Sequence, residues 1–373
     1  MTAHPTSCTI DLGAYLDNLE LIGRHVGAAG VCPVVKADAY GHGLAQIVPA
    51  IEAGGFERLA VAQIGEAVAA RSLGFTGRVL VLSAAVPELV ASYDDPDFEH
   101  TVPDLAALER VADTAGSTPR RIHLKIDTGM GRLGTDAAAA APLIRAAVAE
   151  PRVEIVGVYT HFANADAADL SDARGQLERF TAAIEEFDRL GAPIPIRHAA
   201  NSGAIEQLPE AHLDLVRAGI LSYGIHASPA VQPKVDVRPV MSWTTTATFT
   251  KWVEAGTPVS YGSTWTSTRA TNLATLPVGY GDGYRRGLGN RAEVLVDGRR
   301  HPIVGRVCMD QMVVDTGDVD IFGRPVVLLG ASGDDRIDAD ELAAHVDTIS
   351  YEIVTAVTNR VPRTAIGGPA GGR

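Results

Sequence analysis

Cysteine is scarce in this chain. Cys8, Cys32 and Cys308 are its three cysteines, widely spaced and without a C-x-x-C pair, which excludes a disulfide framework and suits a reducing compartment. A basic excess is also missing: Lys and Arg number 32 against 45 Asp and Glu, a formal net charge of −13. Nucleic acid is therefore not expected as a partner, because a phosphate-binding surface needs surplus positive charge. No apolar run reaches the roughly 20 residues of a membrane span. Asp11 and Asp17 fall where a signal peptide would carry its apolar core. The expected location is cytoplasmic, with no membrane partner and no metal.

What is present is a well-cored globular composition, 46% hydrophobic and 21% charged over 373 residues, long enough for two domains. Up to about residue 236, short apolar runs alternate with Ala/Leu/Glu-rich helical stretches such as Ile64–Leu73, Leu105–Ala115 and Leu177–Leu190. The runs are Val31–Lys36, Arg58–Ala62, Arg78–Leu82, His100–Val102, Ile122–Ile126, Ile155–Tyr159, Ile194–His198 and Leu213–Arg217. Eight such units predict an α/β fold, an N-terminal (β/α)8 barrel. A doubly wound open sheet repeats the same units, and the count favours the barrel. From Val237 onward the texture changes to Thr-rich alternation over Ser242–Thr250, an Asp297-Gly298 turn, and the runs Ala292–Val296, Pro302–Val304, Gln311–Val314 and Pro325–Leu329. The expected plan is a barrel over 1–236 and a mainly β domain over 237–373, with residues of about 1–10 available to pair with the β domain.

In such a barrel the chemistry lies at the carboxyl ends of the strands. Lys36 is expected to close the first, in a Gly- and Tyr-containing segment, where a buried cation must reach solvent or lose its proton and react. After the fifth strand comes Gly129-Met130-Gly131-Arg132-Leu133-Gly134, a match to the dinucleotide pattern G-x-G-x-x-G. That pattern belongs after the first strand of its unit, with an acid at the end of the next. Here it follows the fifth, and Glu150 and Glu154 precede or open the next strand. It is better read as a mount for Arg132, braced by Lys125, with glycines that let a ligand approach. His161 follows the sixth strand, and Asn201-Ser202-Gly203 opens a helix after the seventh, suited to an anion. Arg217-Ala218-Gly219-Ile220 closes the eighth. A lysine, donors for a phosphate and a partner for a ring nitrogen together suggest pyridoxal phosphate. If Arg217 is that ring partner, its guanidinium, which stays protonated in proteins, cannot hand over a proton.

These residues resemble the alanine racemases, and the resemblance spans nearly the whole chain. It rests on P-V-V-K-A-D-A-Y-G-H-G at 33–43, H-L-K-I-D-T-G-M-G-R-L-G at 123–134, Y-T-H-F at 159–162, H-A-A-N-S-G at 198–203, V-R-A-G-I at 216–220, V-S-Y-G-S at 259–263, G-Y-G-D-G-Y at 279–284, C-M-D-Q at 308–311 and S-Y-E at 350–352. The resemblance implies two-base, pyridoxal 5'-phosphate-dependent racemisation of alanine, supplying D-alanine for peptidoglycan. Lys36 would carry the cofactor and act as one base. Tyr261, in the β domain of the partner subunit of a homodimer with shared active sites, would act as the other. It further implies that His161 bonds to Tyr261 and Arg217, and that Tyr40, Asn201, Ser202, Gly219, Ile220 and Tyr351 bind the cofactor. Arg132, Met309, Asp310 and Tyr280 would recognise or admit the small amino-acid substrate. At the place of Lys125 the family often has a carbamylated lysine, which would turn a cation into an anion able to fix Arg132.

Three other readings remain open at this level. Decarboxylation of a basic amino acid would need an acidic determinant for a distal amine, and none is identified. A cofactor store would have no use for the Tyr261 domain. A nicotinamide dehydrogenase would form no bond between Lys36 and a cofactor.

Overall fold

The computed structural model describes residues 5–193 and 195–368, so residues 1–4 of the expected N-terminal pairing and Ile194 of the seventh expected strand lie outside the described residues. The chain divides into two compact units: Tyr15–Ala39 with Ile47–Arg238, and Met1–Ala14 with Tyr40–Gln46 and Pro239–Arg373.

The first unit is the barrel. Its strands are Gly30–Pro33, Arg58–Val61, Arg78–Ala84, Phe98–Val102, Arg120–Asp127, Val153–Tyr159, Ile196–His198 and Leu215–Ala218. Parallel pairing runs without a break from the second to the seventh. The eighth pairs with the first in register Leu215↔Gly30 to Ala218↔Pro33. Two short links complete the circle. Val34 bridges Ala60, and the backbone N–H groups of Asp214 and Arg217 donate to Arg197 and Ala200 at 3.1 and 3.0 Å. Eight parallel strands thus close on themselves, which excludes the open sheet.

The fifth strand shows why the sequence folds this way. Ile122, Leu124 and Ile126 point outward into an apolar cluster with Leu143, Ile144, Phe180 and Ile184 from the covering helices. His123 and Lys125, on the alternate face, are buried without belonging to it. The helix expected over Leu177–Leu190 begins earlier, at Ser171. Among the described residues no helix is long and apolar enough to cross a membrane.

The second unit is a ten-stranded sheet of mainly antiparallel strands. Met241–Thr246 lies third from one edge of its main path, flanked by Pro325–Ser332 on one side and Ser7–Asp11 on the other. The Asp297-Gly298 turn joins Glu293–Val296 to Arg299–Val304, with φ of 50° and 75° at its two central residues, the left-handed pair a tight hairpin requires. Two short helices, Ala339–His345 and Ser350–Thr355, precede its last strand, Arg363–Ile366.

Candidate active site

The barrel interior is polar. Thr101 Oγ1 lies 2.8 Å from Tyr159 Oη, joining non-neighbouring strands across it, and the Tyr159 ring stacks on His198 of the adjacent strand with centroids 4.7 Å apart and planes 7° apart. Lys125 Nζ and the Arg217 guanidinium each face the Tyr159 ring, at 5.4 and 5.3 Å. Arg217 is held from several directions. Its Nη1 lies 2.8 Å from His198 Nδ1, and its Nη2 donates to the carbonyls of Thr160 and Ala199 at 2.8 and 2.9 Å and lies 3.2 Å from His161 Nδ1. A guanidinium gripped this way is fixed in plane and direction.

The mouth of the barrel is electropositive. Burial first, then Arg217, Arg132, Lys36 and Lys125, push the His161 imidazole well below its usual pKa, so it is neutral at physiological pH. Burial and the charges of Arg132 and Arg217 also lower Lys36 against the pull of Glu66. Lys125 is brought down to about 8 by burial and Arg217, with Arg132 adding to the effect against Asp127. Four cations gathered with so little counter-charge suit a ligand that brings its own anions.

Lys36 does not close a strand, as the sequence suggested. The first strand ends at Pro33, and Lys36 begins a left-handed turn in which Ala37, Asp38, Ala39 and Tyr40 all have φ of 53–55°. Left-handed turns cost L-residues roughly 1–2 kcal/mol each, and such strain concentrates where a side chain must be aimed. The turn is tied down by Ala39 N–H donating to Val35 O at 2.9 Å and by Ala37 N–H donating to Glu66 Oε1 at 2.6 Å.

Three N–H groups of the loop Gly129–Gly134 are already taken within the chain and do not point to a pyrophosphate. Gly129, Met130 and Gly131 all donate to the Asp127 carboxylate, at 2.9–3.2 Å. Gly134, at φ 117°, packs so tightly that a Cβ would come within 2.8 Å of Lys125 O. That glycine serves close approach of the chain to itself, where the sequence suggested approach to a ligand. Arg132 stands exposed at the loop's tip. Lys125 does not brace it in this structure: its Nζ donates to Ile126 O at 2.8 Å.

Behind Arg217, Asn201 caps the helix Ser202–Gln207 by accepting from Ala204 N–H at 3.1 Å. Ser202 Oγ accepts from Gly219 N–H and Leu221 N–H, both at 3.2 Å, so the hydroxyl and backbone donors of Ser202, Gly219 and Ile220 cluster in one place.

In the other unit, the remaining candidates fall into two groups. Tyr40 and Tyr351 face each other with centroids 6.1 Å apart. Tyr261 is 72% exposed on a hairpin between Pro258–Val259 and Trp265–Thr266, in which Ser260, Gly262 and Ser263 all have positive φ. Ser260 Oγ donates to Arg306 O at 2.7 Å, fastening this hairpin to the segment that carries Met309 and Asp310. That segment is zipped in turn to Tyr280, through Tyr280 N–H to Cys308 O at 3.0 Å and Gly281 N–H to Met309 O at 2.8 Å. Asp310 pairs with Arg360 at 2.8 Å. Tyr261, Tyr280, Met309 and Asp310 therefore share one rim of the β unit.

Sequence reasoning gave no role to Glu99, His123 or Tyr159. The signal was present in R-I-H-L-K-I-D, where polar residues alternate with apolar ones in a strand covered by helices. Among the described residues no cluster of His, Cys, Asp and Glu could hold a metal ion.

The comparisons with known proteins agree with this layout. Residues 10–227 match the family described as alanine racemase, N-terminal domain, and residues 240–365 the alanine racemase, C-terminal domain. The chain belongs to the alanine racemase family. It is 42% identical to the alanine racemase of Symbiobacterium thermophilum, with 96% of each chain covered, and 43% identical to that of Frankia casuarinae, covering 96% of this chain and 95% of the relative. Among solved structures, the alanine racemase of the D-cycloserine producer Streptomyces lavendulae superposes with a TM-score of 0.92 at 35% identity over 99% of both chains. That of Bartonella henselae, with covalently bound pyridoxal phosphate, gives 0.87 at 28% identity, covering 97% of this chain and 99% of its own. That of Bacillus anthracis, with bound L-Ala-P, gives 0.91 at 32% identity over 100% and 98%.

Proposed function

We propose that this enzyme interconverts L- and D-alanine with pyridoxal 5'-phosphate bound at the barrel mouth, and that the D-alanine it makes serves peptidoglycan synthesis. The observation that carries this reading is the placement of Lys36, its pKa lowered, among Arg132, Arg217 and Lys125 at the carboxyl end of the barrel. The donor set fits the cofactor. Lys36 offers an amine for its aldehyde, Ser202, Gly219 and Ile220 offer a hydroxyl and backbone donors for its phosphate, and Arg217 offers a rigid cation for its ring nitrogen. Asn201 orders the phosphate segment, while Tyr40 and Tyr351 add phenol donors. Homologous enzymes with covalent pyridoxal phosphate and with bound L-Ala-P support the same assignment.

When bound, the cofactor supplies an electron-withdrawing π-system that acidifies the substrate Cα–H. The Lys36 amine, its pKa lowered by burial and neighbouring cations, takes or returns the Cα proton on one face. Tyr261 of the partner subunit does so on the other, which is what inversion at Cα requires. Its exposure on a strained hairpin favours a role outside its own chain. Arg217 cannot surrender a proton to the ring nitrogen, so the site favours brief deprotonation at Cα over longer-lived carbanion chemistry. His161, bonded to Arg217, also meets the Tyr261 phenol in this reading. Arg132 binds the substrate carboxylate, and Tyr280, Met309 and Asp310 line its approach. The enzyme works as a homodimer in the cytoplasm.

Incubation with L-alanine in deuterium oxide tests the proposal: D-alanine carrying deuterium at Cα is expected, and its absence overturns the reading. Borohydride should abolish the cofactor's visible absorption and leave a reduced adduct on Lys36.

A further inference from the structure

Behind Arg217 the barrel holds a run of buried polar side chains that the proposed reaction does not touch. His198, whose Nδ1 meets Arg217 Nη1, places its Nε2 2.8 Å from His123 Nδ1. His123 Nε2 lies 3.0 Å from Glu99 Oε2. Arg58 closes the run with two hydrogen bonds to the Glu99 carboxylate, at 2.8 and 2.9 Å. Glu99, His123 and His198 have no exposure to solvent.

The proton positions follow from donor chemistry. A guanidinium has no acceptor, so His198 must turn its Nδ1 lone pair toward Arg217. A neutral imidazole with an accepting Nδ1 carries its hydrogen on Nε2, and that hydrogen points at His123. His123 Nδ1 therefore accepts, and His123 carries its own hydrogen on Nε2, which it donates to Glu99. Every bond runs one way, from Arg217 to a carboxylate. The reversed set would put an N–H of His198 against Arg217, donor facing donor, and a lone pair of His123 against the Glu99 oxygens. Reversal is opposed at both ends, by the donor-only guanidinium of Arg217 and by the acceptor-only carboxylate of Glu99. Glu99 stays an acceptor: burial alone would raise its pKa, but hydrogen bonds from His123 and Arg58 hold it at about 2. Tyr159, stacked on His198, fixes the plane of that ring.

We propose that Glu99, acting through His123, is a positioning residue for the racemase reaction: it locks His198 in the Nε2–H tautomer and so holds the Arg217 guanidinium facing the cofactor ring. The inference rests on the reading of Arg217 as partner of the ring nitrogen.

Nitrogen NMR of histidine-labelled holoenzyme reads the tautomers, with His123→Asn and His198→Asn assigning the signals. In the native enzyme both rings are expected to carry their hydrogen on Nε2. Glu99→Gln supplies an amide that donates as well as accepts, so reversal is no longer opposed at this end and is opposed only by Arg217, which would have to give up its contact with His198. A second His198 form with hydrogen on Nδ1 is expected, and kcat should fall on the order of 10–100-fold with a smaller change in KM, as for other outer-shell partners. A native His198 with hydrogen on Nδ1 overturns the proposal, and this needs no variant to fold. So does a Glu99→Gln enzyme with native tautomers and native kcat. The borohydride adduct on Lys36 keeps the two readings apart. If it forms while the tautomers are wrong, only the role of Glu99 fails; if it does not form, the cofactor reading itself fails.

Discussion

Gly157 leaves the space that the His123 ring occupies: a Cβ on Gly157 would lie 2.1 Å from His123 Nδ1. The two residues are register partners on the fifth and sixth barrel strands, and the ring is pinned at both nitrogens. Alanine in place of a strand glycine ordinarily gains about 0.4–1 kcal/mol from the unfolded state. Here the overlap is far inside contact distance and falls on a ring without freedom to move, so the clash wins. Gly157→Ala is expected to lose roughly 1–3 kcal/mol of stability and to lower kcat by breaking the His123–His198 bond. Thermal denaturation beside steady-state kinetics checks both; a variant as stable and active as the native enzyme would show that the ring has room to move.

Lys125 makes a second prediction, from a cation almost wholly removed from water. Its pKa drops from 10.5 to about 8 because burial and Arg217 outweigh Asp127. The unfolded lysine keeps its proton up to the higher value and the folded one only to the lower. Between them the unfolded state binds more protons, so stability rises with pH across that window, by roughly 3 kcal/mol in total. Below the window both states are protonated and the full cost of the buried cation remains. Denaturant titrations in bicarbonate-free buffer should show this rise in the native enzyme and its loss in Lys125→Met. The partly neutral amine is also competent to attack carbon dioxide, forming an N–C bond, releasing a proton and becoming an anion. Labelled bicarbonate should then give a carbamate carbon signal that Lys125→Met lacks.

The alternation of apolar runs and helical stretches carried the barrel, because a strand covered by helices must be apolar on its outer face at nearly every turn of the chain. Strand ends were less legible. Lys36 looked like a strand terminus because V-V-K continues the apolar run, but the left-handed turn that carries it is set by contacts with Glu66 and Val35, distant in sequence or invisible in composition. The hexamer at 129–134 misled in the same way: its glycines match a phosphate loop, and only the structure shows that Asp127 takes three of the N–H groups. Lys36, Arg217 and Tyr261 became candidates through motifs. Glu99 and His123 stayed hidden because nothing short in sequence links the fourth, fifth and seventh strands.

The Asp127 cradle yields a prediction about substrate binding. Three N–H donors and Lys125 hold this carboxyl below its usual range against the effect of burial. Its contribution to loop order is therefore present above the unfolded value near 4 and lost as pH falls through the lower, folded value. Asp127→Ala leaves Gly129, Met130 and Gly131 without their acceptor and frees the loop that presents Arg132. KM for alanine should rise several-fold while kcat changes less, since the role proposed for Arg132 is to bind the carboxylate and not to move the Cα proton. A fall in kcat with unchanged KM would place Arg132 in the proton transfer instead.

The exposed hairpin of Tyr261 makes the sharing of sites between subunits testable by mixing. Lys36→Ala and Tyr261→Phe enzymes should each be nearly inactive. In a mixed dimer with Tyr261 acting across the interface, one site takes Lys36 from one chain and Tyr261 from the other, both intact, while the second site has neither. Half of the dimer's sites would then be native, and activity should appear as subunits exchange. If Tyr261 served its own chain, each site in the mixed dimer would lack one base. Mixing would then recover nothing, whatever the extent of exchange, and the reading of Tyr261 as a base acting across the interface would be lost.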